Sequence, residues 1–461
     1  MSIVAAPTTK PFANHLRATL VLGLPLVAMQ VTQMLINVTD TVMVGWLGVE
    51  ELAAGVLAFQ LLFTVLIFAL GIAAALMPLV SSALAKGETR EVRRSARMAL
   101  WVLLLVSLAF QPLLLFSEGF LLALGQKPTT AALAAEYLII AQWSLVPAFL
   151  MNGLRNFLAA LERTAIIVWV TVAMALLNGL LNWVLIFGNL GAPALGLEGA
   201  AWATLIANGA GCVAMFAVAK FDPVARPFEI LTRLWKPDWQ AFFKVCRLGF
   251  PISLMILAEA GLFAATSIMM GWLGTIELAA HGIALQLASI AFMVPLGLSQ
   301  AASVRVAGEA GRSDWSGIGR AANAVYLIAI GFAFVSAAIF LIFPEALSRL
   351  FLDAANTDAD AVIAAAVSLL FMAALFQIFD TLQVASSGNL RGLQDTTWPM
   401  VIAAFAYWPV GVGLAYVLGF KMGFGGVGVW GGLVGGLAVA SIALTWRFMR
   451  REQLGLVDAS R

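Results

Sequence analysis

Asp40, Glu259 and Asp380 each fall inside a long apolar run. There an ionised side chain costs about 2.5–3.5 kcal/mol on insertion scales, and more if it is wholly dehydrated. No Lys or Arg occurs in the middle of these runs to pair with them. Any one of the three could be a protonated, hydrogen-bonded core acid. Together they point to a water-accessible cavity whose counter-cation comes from outside: a proton, a sodium ion or a cationic substrate.

The neighbours of these acids are neutral oxygen and amide groups. Gln33, Asn37 and Asp40, with Gln30 before them, recur at steps of three, four and three and so share one helical face. Asn178 and Asn182 are spaced i, i+4 in a later run, as are Thr204 and Asn208 in the next, and Gln377 and Thr381 flank Asp380. Such oxygens are what a hard cation needs in place of its hydration shell. Interhelical hydrogen bonding, worth about 0.6 kcal/mol a pair, is the alternative for the amides and hydroxyls taken singly.

The elements that must position these side chains are membrane helices. Of 461 residues, 62% are hydrophobic and 11% charged, against roughly 25% charged in a soluble domain. The apolar runs are continuous over 20 or more residues, which excludes the alternating ten-residue segments of an outer-membrane barrel. The two cysteines, Cys212 and Cys246, form neither a disulfide framework nor a metal-type spacing. The N-terminus carries no short apolar run followed by a small-residue cleavage site, so the first span is expected to be retained. Twelve spans are expected, near 18–44, 52–84, 95–117, 131–160, 165–188, 198–219, 245–270, 277–304, 317–343, 361–390, 397–420 and 427–449. With both termini cytoplasmic, 23 of the 26 basic residues, from Lys10 through the cluster at 86–97 to Arg461, fall on one side. Only Lys127, Arg349 and Lys421 fall on the other. That is the positive-inside bias of a twelve-span protein, and it accounts for the 86–97 cluster without a nucleic-acid partner.

The spans are duplicated. Residues 42–54, VMVGWLGVEELAA, and 268–280, IMMGWLGTIELAA, are identical at nine of 13 positions. The same offset of 226 pairs Gly23 with Gly249, Pro25 with Pro251 and Gln60 with Gln286. An offset of six spans makes the repeats parallel, related by an axis along the membrane normal. The expected organisation is an N-terminal six-helix bundle (1–219), a cytoplasmic linker (220–244) with an amphipathic piece at the interface, and a C-terminal bundle (245–461). Two bundles that can rock about a central cavity suit alternating access. The charges are not duplicated: offset 226 sets Thr266 opposite Asp40 and Gln33 opposite Glu259. One cation site is therefore expected near Asp40 and another near Glu259 and Asp380.

Pro25, Pro78, Pro147, Pro251, Pro295, Pro399 and Pro409 lie inside the spans, where each is expected to remove a backbone hydrogen bond and kink its helix. GFGGVG at 423–428 matches a dinucleotide pattern but follows no soluble strand, so it reads as a loop entering span twelve. Gly428, Gly432 and Gly436 read as a close-packing face. No GxxxxGK[ST], HExxH or GxSxG is present, so ATP hydrolysis through a P-loop and the corresponding enzyme classes drop out and no cofactor is expected. His281 reads as a satisfied polar residue within a bundle.

The chain resembles the multidrug and toxic compound extrusion family, and within it the NorM type. The resemblance rests on LGLP in span one, NVTDTVMVGWLG, the second copy ending GWLGTIELAA, and FQIFDTLQVASSGNLRGLQDT in span ten. It implies a V-shaped pair of bundles in the bacterial inner membrane, a monomer among membrane lipids, exporting cationic amphiphilic drugs and dyes in exchange for inward Na+ or H+. It further implies that Asp40 with Asn178 and Asn182 forms a first-bundle cation or proton site, and that Glu259 and Asp380 form a second-bundle site able to take Na+. Gln33, Asn37, Thr204, Asn208 and Gln377 become cavity candidates, and Pro25 the hinge of span one. Phe376 departs from a tyrosine found in some members and removes a possible hydroxyl ligand. Two other readings are weighed against antiport: a lipid-linked oligosaccharide flippase, whose cavity would hold several Arg or Lys, and an intramembrane enzyme using the Glu259 and Asp380 pair, which would leave the repeat unexplained.

Overall fold

The computed structural model describes residues 11–351 and 359–457, so Lys10 and Arg461 lie outside the described residues. Among the described residues, twelve helices are long and apolar enough to cross a membrane. They are α1 (Phe12–Gly45), α2 (Glu50–Ala85), α3 (Thr89–Leu115), α4 (Pro128–Ala160), α5 (Thr164–Phe187), α6 (Gly196–Phe221), α7 (Trp239–Leu273), α8 (Thr275–Gly311), α9 (Trp315–Ile342), α10 (Ala359–Gly392), α11 (Thr397–Lys421) and α12 (Gly425–Met449). All-helical architecture follows from the solvent, because in hydrocarbon each backbone N–H and C=O must be paired within its own segment. Several helices outrun the apolar runs that announce them. α1 begins at Phe12, α7 at Trp239 and α3 at Thr89, and α8 continues to Gly311. A reading by hydropathy stops at the first charges, whereas the i→i−4 ladder continues through them.

The prolines do not act alike. Pro25, Pro78, Pro251 and Pro295 stand within continuous helices. Pro399 is the third residue of α11, where the N–H would have no partner anyway, so the expected loss of a hydrogen bond does not arise. Pro147 follows a single 3-10 turn at Gln142–Ser144 that divides α4. Pro409 has the largest effect: α11 widens to π-helix over Ala406–Val412 and again over Val417–Lys421. A residue without an N–H, set in mid-helix, leaves the ladder to be closed at a longer spacing. The glycine stripe of α12 packs on this widened helix. A methyl at Gly436 would sit 2.8 Å from the Ala406 carbonyl oxygen and one at Gly428 2.6 Å from Leu418 backbone, while one at Gly432 would overlap Ala415. The GFGGVG segment is less of a loop than expected, since α12 already starts at Gly425.

Packing divides the chain into two compact units, one of Ala28–Ser253 and one of the described residues of Met1–Val27 with Leu254–Arg461. Two continuous helices, α1 and α7, each belong to both, and each changes unit within three residues of a proline, Pro25 or Pro251. The repeat is visible in backbone detail. Gly48 and Gly274, which open α2 and α8, have φ, ψ of 159°, 174° and 153°, 173°. That region is essentially restricted to glycine, and a side chain at either would run into the carboxylate of Glu51 or Glu277. Gly71 of α2 lies directly against the backbone of Ser253, and Gly297 of α8 against that of Val27. Corresponding members of the two pairs, Gly71 with Gly297 and Val27 with Ser253, are 226 residues apart. In each unit the second helix of one repeat thus holds the opening segment of the other repeat's first helix.

The segment between α6 and α7 is fastened to α3 within the Ala28–Ser253 unit. Arg93 Nε donates to the Phe228 carbonyl at 2.8 Å, Arg97 to that of Arg233 at 3.3 Å and Trp101 Nε1 to that of Leu234 at 2.6 Å. Arg94 grips both carboxylate oxygens of Asp238. Its guanidinium holds the Asp238 carboxyl below the usual range, with the Ala241 N–H helping and partial burial opposing. The basic cluster of α3 also fixes where α7 begins. At the other end of the segment Arg163 pairs with Asp222.

Candidate functional site

In the Ala28–Ser253 unit, α1 and α5 bring Asp40 to the paired asparagines. Asn178 and Asn182, one turn apart on α5, are buried. The Asn182 amide donates to Asp40 Oδ1 at 2.5 Å and reaches Asn178 Oδ1 at 3.4 Å, and Asn178 lies near the same carboxylate. The i, i+4 spacing is what allows two amides to meet one carboxylate. Thr204 of α6 lies near Tyr137 of α4, and Tyr137 is within electrostatic reach of Asp40. Asn182 Oδ1 is buried without a partner. Gln33, Asn37 and Asn208 are only half-buried, and among the described residues no side-chain hydrogen bond joins them to Asp40.

In the other unit, α7 and α10 bring Glu259 and Asp380 together. Phe263 and Phe376 have ring centroids 6.1 Å apart, and each carboxylate lies four residues, about 6 Å along its helix, to the same side of that contact. The two acids interact electrostatically. Asp380 is 1% exposed, Gln377 is fully buried and bonds Thr381 at 3.4 Å, and the Asp380 Oδ1 and Gln377 Oε1 atoms have no partner. Phe376 packs edge-on against Trp430 at 5.7 Å. The Trp430 N–H can only donate, and it bonds His281 Nδ1 at 3.1 Å, so His281 Nε2 carries the proton and donates to Ser267 Oγ at 2.9 Å. His281 is a satisfied core residue, as its position suggested.

No ion pair involves Asp40, Glu259 or Asp380 among the described residues. Nor do the described residues hold a group of three or more His, Cys, Asp or Glu that could bind a metal ion. A cation at either place would have to draw on amide and hydroxyl oxygens. Two tyrosines that the sequence reading passed over, Tyr137 and Tyr407, lie beside the carboxylates. Scarcity was the available signal, since the chain has only four tyrosines.

The MatE family profile matches residues 25–184 and again 251–417. The chain therefore belongs to the MatE family, and it is a multi-pass membrane transport protein. The two matched stretches begin at Pro25 and Pro251, the offset already seen in the repeat. Among curated relatives it is 48% identical to a probable multidrug resistance protein NorM of Rhizobium meliloti (strain 1021), covering 97% of this chain and 96% of that one. It is 47% identical to a protein of the same description from Agrobacterium fabrum (strain C58), covering 95% and 94%. Solved structures share the fold. A eukaryotic MATE transporter superposes with a TM-score of 0.85 at 21% identity, covering 96% of this chain and 99% of that one. An outward-facing multidrug resistance MATE transporter gives 0.86 at 21%, covering 97% and 99%.

Proposed function

We propose that this protein is a multidrug efflux antiporter of the bacterial inner membrane, exporting cationic amphiphilic drugs and dyes in exchange for inward Na+ or H+. The observation that carries the reading is that each unit holds buried or half-buried carboxylates within membrane helices with no basic partner, so the balancing charge is a mobile one. Asp40 with Asn178 and Asn182 forms one cation or proton site, and Glu259 with Asp380 forms the other, where Na+ is favoured. Gln33, Asn37, Thr204, Asn208 and Gln377 serve the drug cavity. Pro25 is the hinge of α1, consistent with the change of unit two residues later.

An incoming cation neutralises the carboxylates, and a cationic drug competes for the same charge. Exchange then follows from differential binding in the two access states. One monovalent cation falling through 100 mV releases about 2.3 kcal/mol, so each net positive charge carried inward per cycle supports a drug gradient of about fifty-fold. Both termini are cytoplasmic, as the basic bias requires. The working unit is a monomer with its lipid annulus.

The test is dye efflux from proteoliposomes with Na+ and pH gradients imposed separately. Movement driven by Na+ alone makes it a sodium antiporter. Movement driven by protons alone moves the weight to Asp40. No movement under either overturns antiport in favour of the lipid-linked oligosaccharide flippase.

A further inference from the structure

Tyr407 has a polar group buried where it has nothing to bond. Its side chain is fully enclosed, and among the described residues its hydroxyl has no hydrogen-bond partner. An unmade hydrogen bond on a buried hydroxyl costs about 1–3 kcal/mol, so such a group is retained where something else binds it. The backbone that presents it is also unusual, because Tyr407 is the second residue of the π-helical stretch at Pro409. π-Bulges re-aim the side chains they carry and recur at functional sites.

Packing contacts set the depth of Tyr407 on α11 against the carboxylates. A methyl at Gly261 would touch Trp408 at 2.7 Å, and one at Gly411 would touch Leu262 at 3.2 Å. Residues 261–262 of α7 are therefore level with 408–411 of α11. Stepping back along the two parallel helices by about one turn from Leu262 and Gly411 reaches Glu259 on one and Tyr407 on the other. The Phe263 to Phe376 contact places Asp380 at the same level on α10. Tyr407 lies within electrostatic reach of both acids. Three helices thus direct a phenol and two carboxylates to one layer, and Tyr407 Oη, Asp380 Oδ1 and Gln377 Oε1 are all buried oxygens without partners.

We propose that Tyr407 is a ligand of the monovalent cation bound at Glu259 and Asp380, its neutral hydroxyl oxygen completing a shell that two carboxylates and an amide oxygen leave short. The proposal rests on the reading of that pair as a cation site. A hydroxyl adds an oxygen without adding charge, so it raises affinity for Na+ while leaving the net charge that a competing cationic drug senses unaltered. The Pro409 bulge then has a function: it sets a residue of α11 facing α7 and α10 at a depth that regular helix would not.

The test uses the full chain in nanodiscs, with radioactive Na+ as the probe. Tyr407→Phe keeps the ring that fills the core and removes only the oxygen. The expected result is Na+ half-saturation weakened about tenfold, as for loss of one good ligand. Binding of a cationic dye in Na+-free buffer should stay close to wild type, and the melting temperature in that buffer should not fall, since the unpaired hydroxyl is gone. Labelling with 3-fluorotyrosine gives four fluorine resonances, one per tyrosine, and the one missing from Tyr407→Phe is its own. Saturating Na+ should shift that line and leave those of Tyr326 and Tyr416 in place. Wild-type Na+ binding by both Glu259→Gln and Asp380→Asn would overturn the underlying site. Loss of binding in those two, with Tyr407→Phe unchanged and its line static, would overturn the Tyr407 assignment alone. So would a Tyr407→Phe protein that loses Na+, dye and thermal stability together, since that is a packing role.

Discussion

The two units share a scaffold and differ in their chemistry. Around Asp40, one carboxylate meets two amides, one of them already bonded to it, with Tyr137 and Thr204 nearby. Around Glu259 and Asp380, two carboxylates lie within electrostatic reach of each other, and among the described residues a phenol, an amide oxygen and a carboxylate oxygen are left open. Yet Gly48 matches Gly274, and the Gly71 to Ser253 approach matches that of Gly297 to Val27. Duplication preserved the residues that let helices meet and freed those that face the interior. An acid already bonded by an amide suits a proton, which needs one oxygen. An open cluster of oxygens suits a metal cation, which needs several.

The largest effect should separate the two sites. Asp380→Asn is expected to lower Na+-driven dye efflux by about 100-fold or more, the loss of a charge for which no neutral group substitutes. Asp40→Asn should abolish proton-driven efflux while leaving radioactive Na+ binding intact. Equal loss of both activities in both variants would dissolve the distinction. A smaller, symmetrical effect probes the scaffold. Gly71→Ala and Gly297→Ala each press a methyl on backbone, so each should destabilise by about 1–3 kcal/mol, read as matching falls in melting temperature. Unequal falls would show that the repeats carry unequal loads.

The smallest effect concerns the fastening of the linker. Asp238 is held below its ordinary titration range by Arg94. The pair therefore contributes stability above the unfolded value of about 4, and that contribution is lost as pH falls through the lower folded value. Being partly exposed, the pair is expected to contribute less than about 1 kcal/mol. Protease cleavage between Asp222 and Asp238 should rise below about pH 4 in the wild type, and be already raised at neutral pH in Asp238→Asn. No difference between the two proteins would remove the clamp from the account.

Periodicity made Asp40, Asn178 and Asn182 legible, because i, i+4 spacing and membrane burial leave few alternatives for three polar groups. The offset of 226 made the duplication legible from GWLG alone. Gln33 and Asn37 illustrate where the reasoning stops. They share a helical face with Asp40, but a face is wider than one carboxylate's shell, and among the described residues no side-chain hydrogen bond joins them to Asp40. Tyr407 was illegible because its placement depends on a π-helical stretch created two residues downstream by Pro409. Periodicity of 3.6 assumes the regular helix that proline there disallows. The arginine ladder on the linker was hidden for another reason: Arg93 and Arg97 bond carbonyl oxygens, which every residue has and no sequence pattern marks.

Because α1 and α7 each serve both units, chain order and structural completion do not coincide during synthesis. The Ala28–Ser253 unit cannot close when its sixth span has been made, since the face of α2 at Gly71 still awaits residue 253, which follows the linker and the basic clamp. The opening of α1, made first, waits longest, until Gly297 of α8 emerges to receive it. Assembly is therefore interlocked: a ribosome that stops after the first repeat leaves one helix seat unfilled and one helix segment unseated. A gene split at the linker should yield function only when both fragments are made in the same membrane.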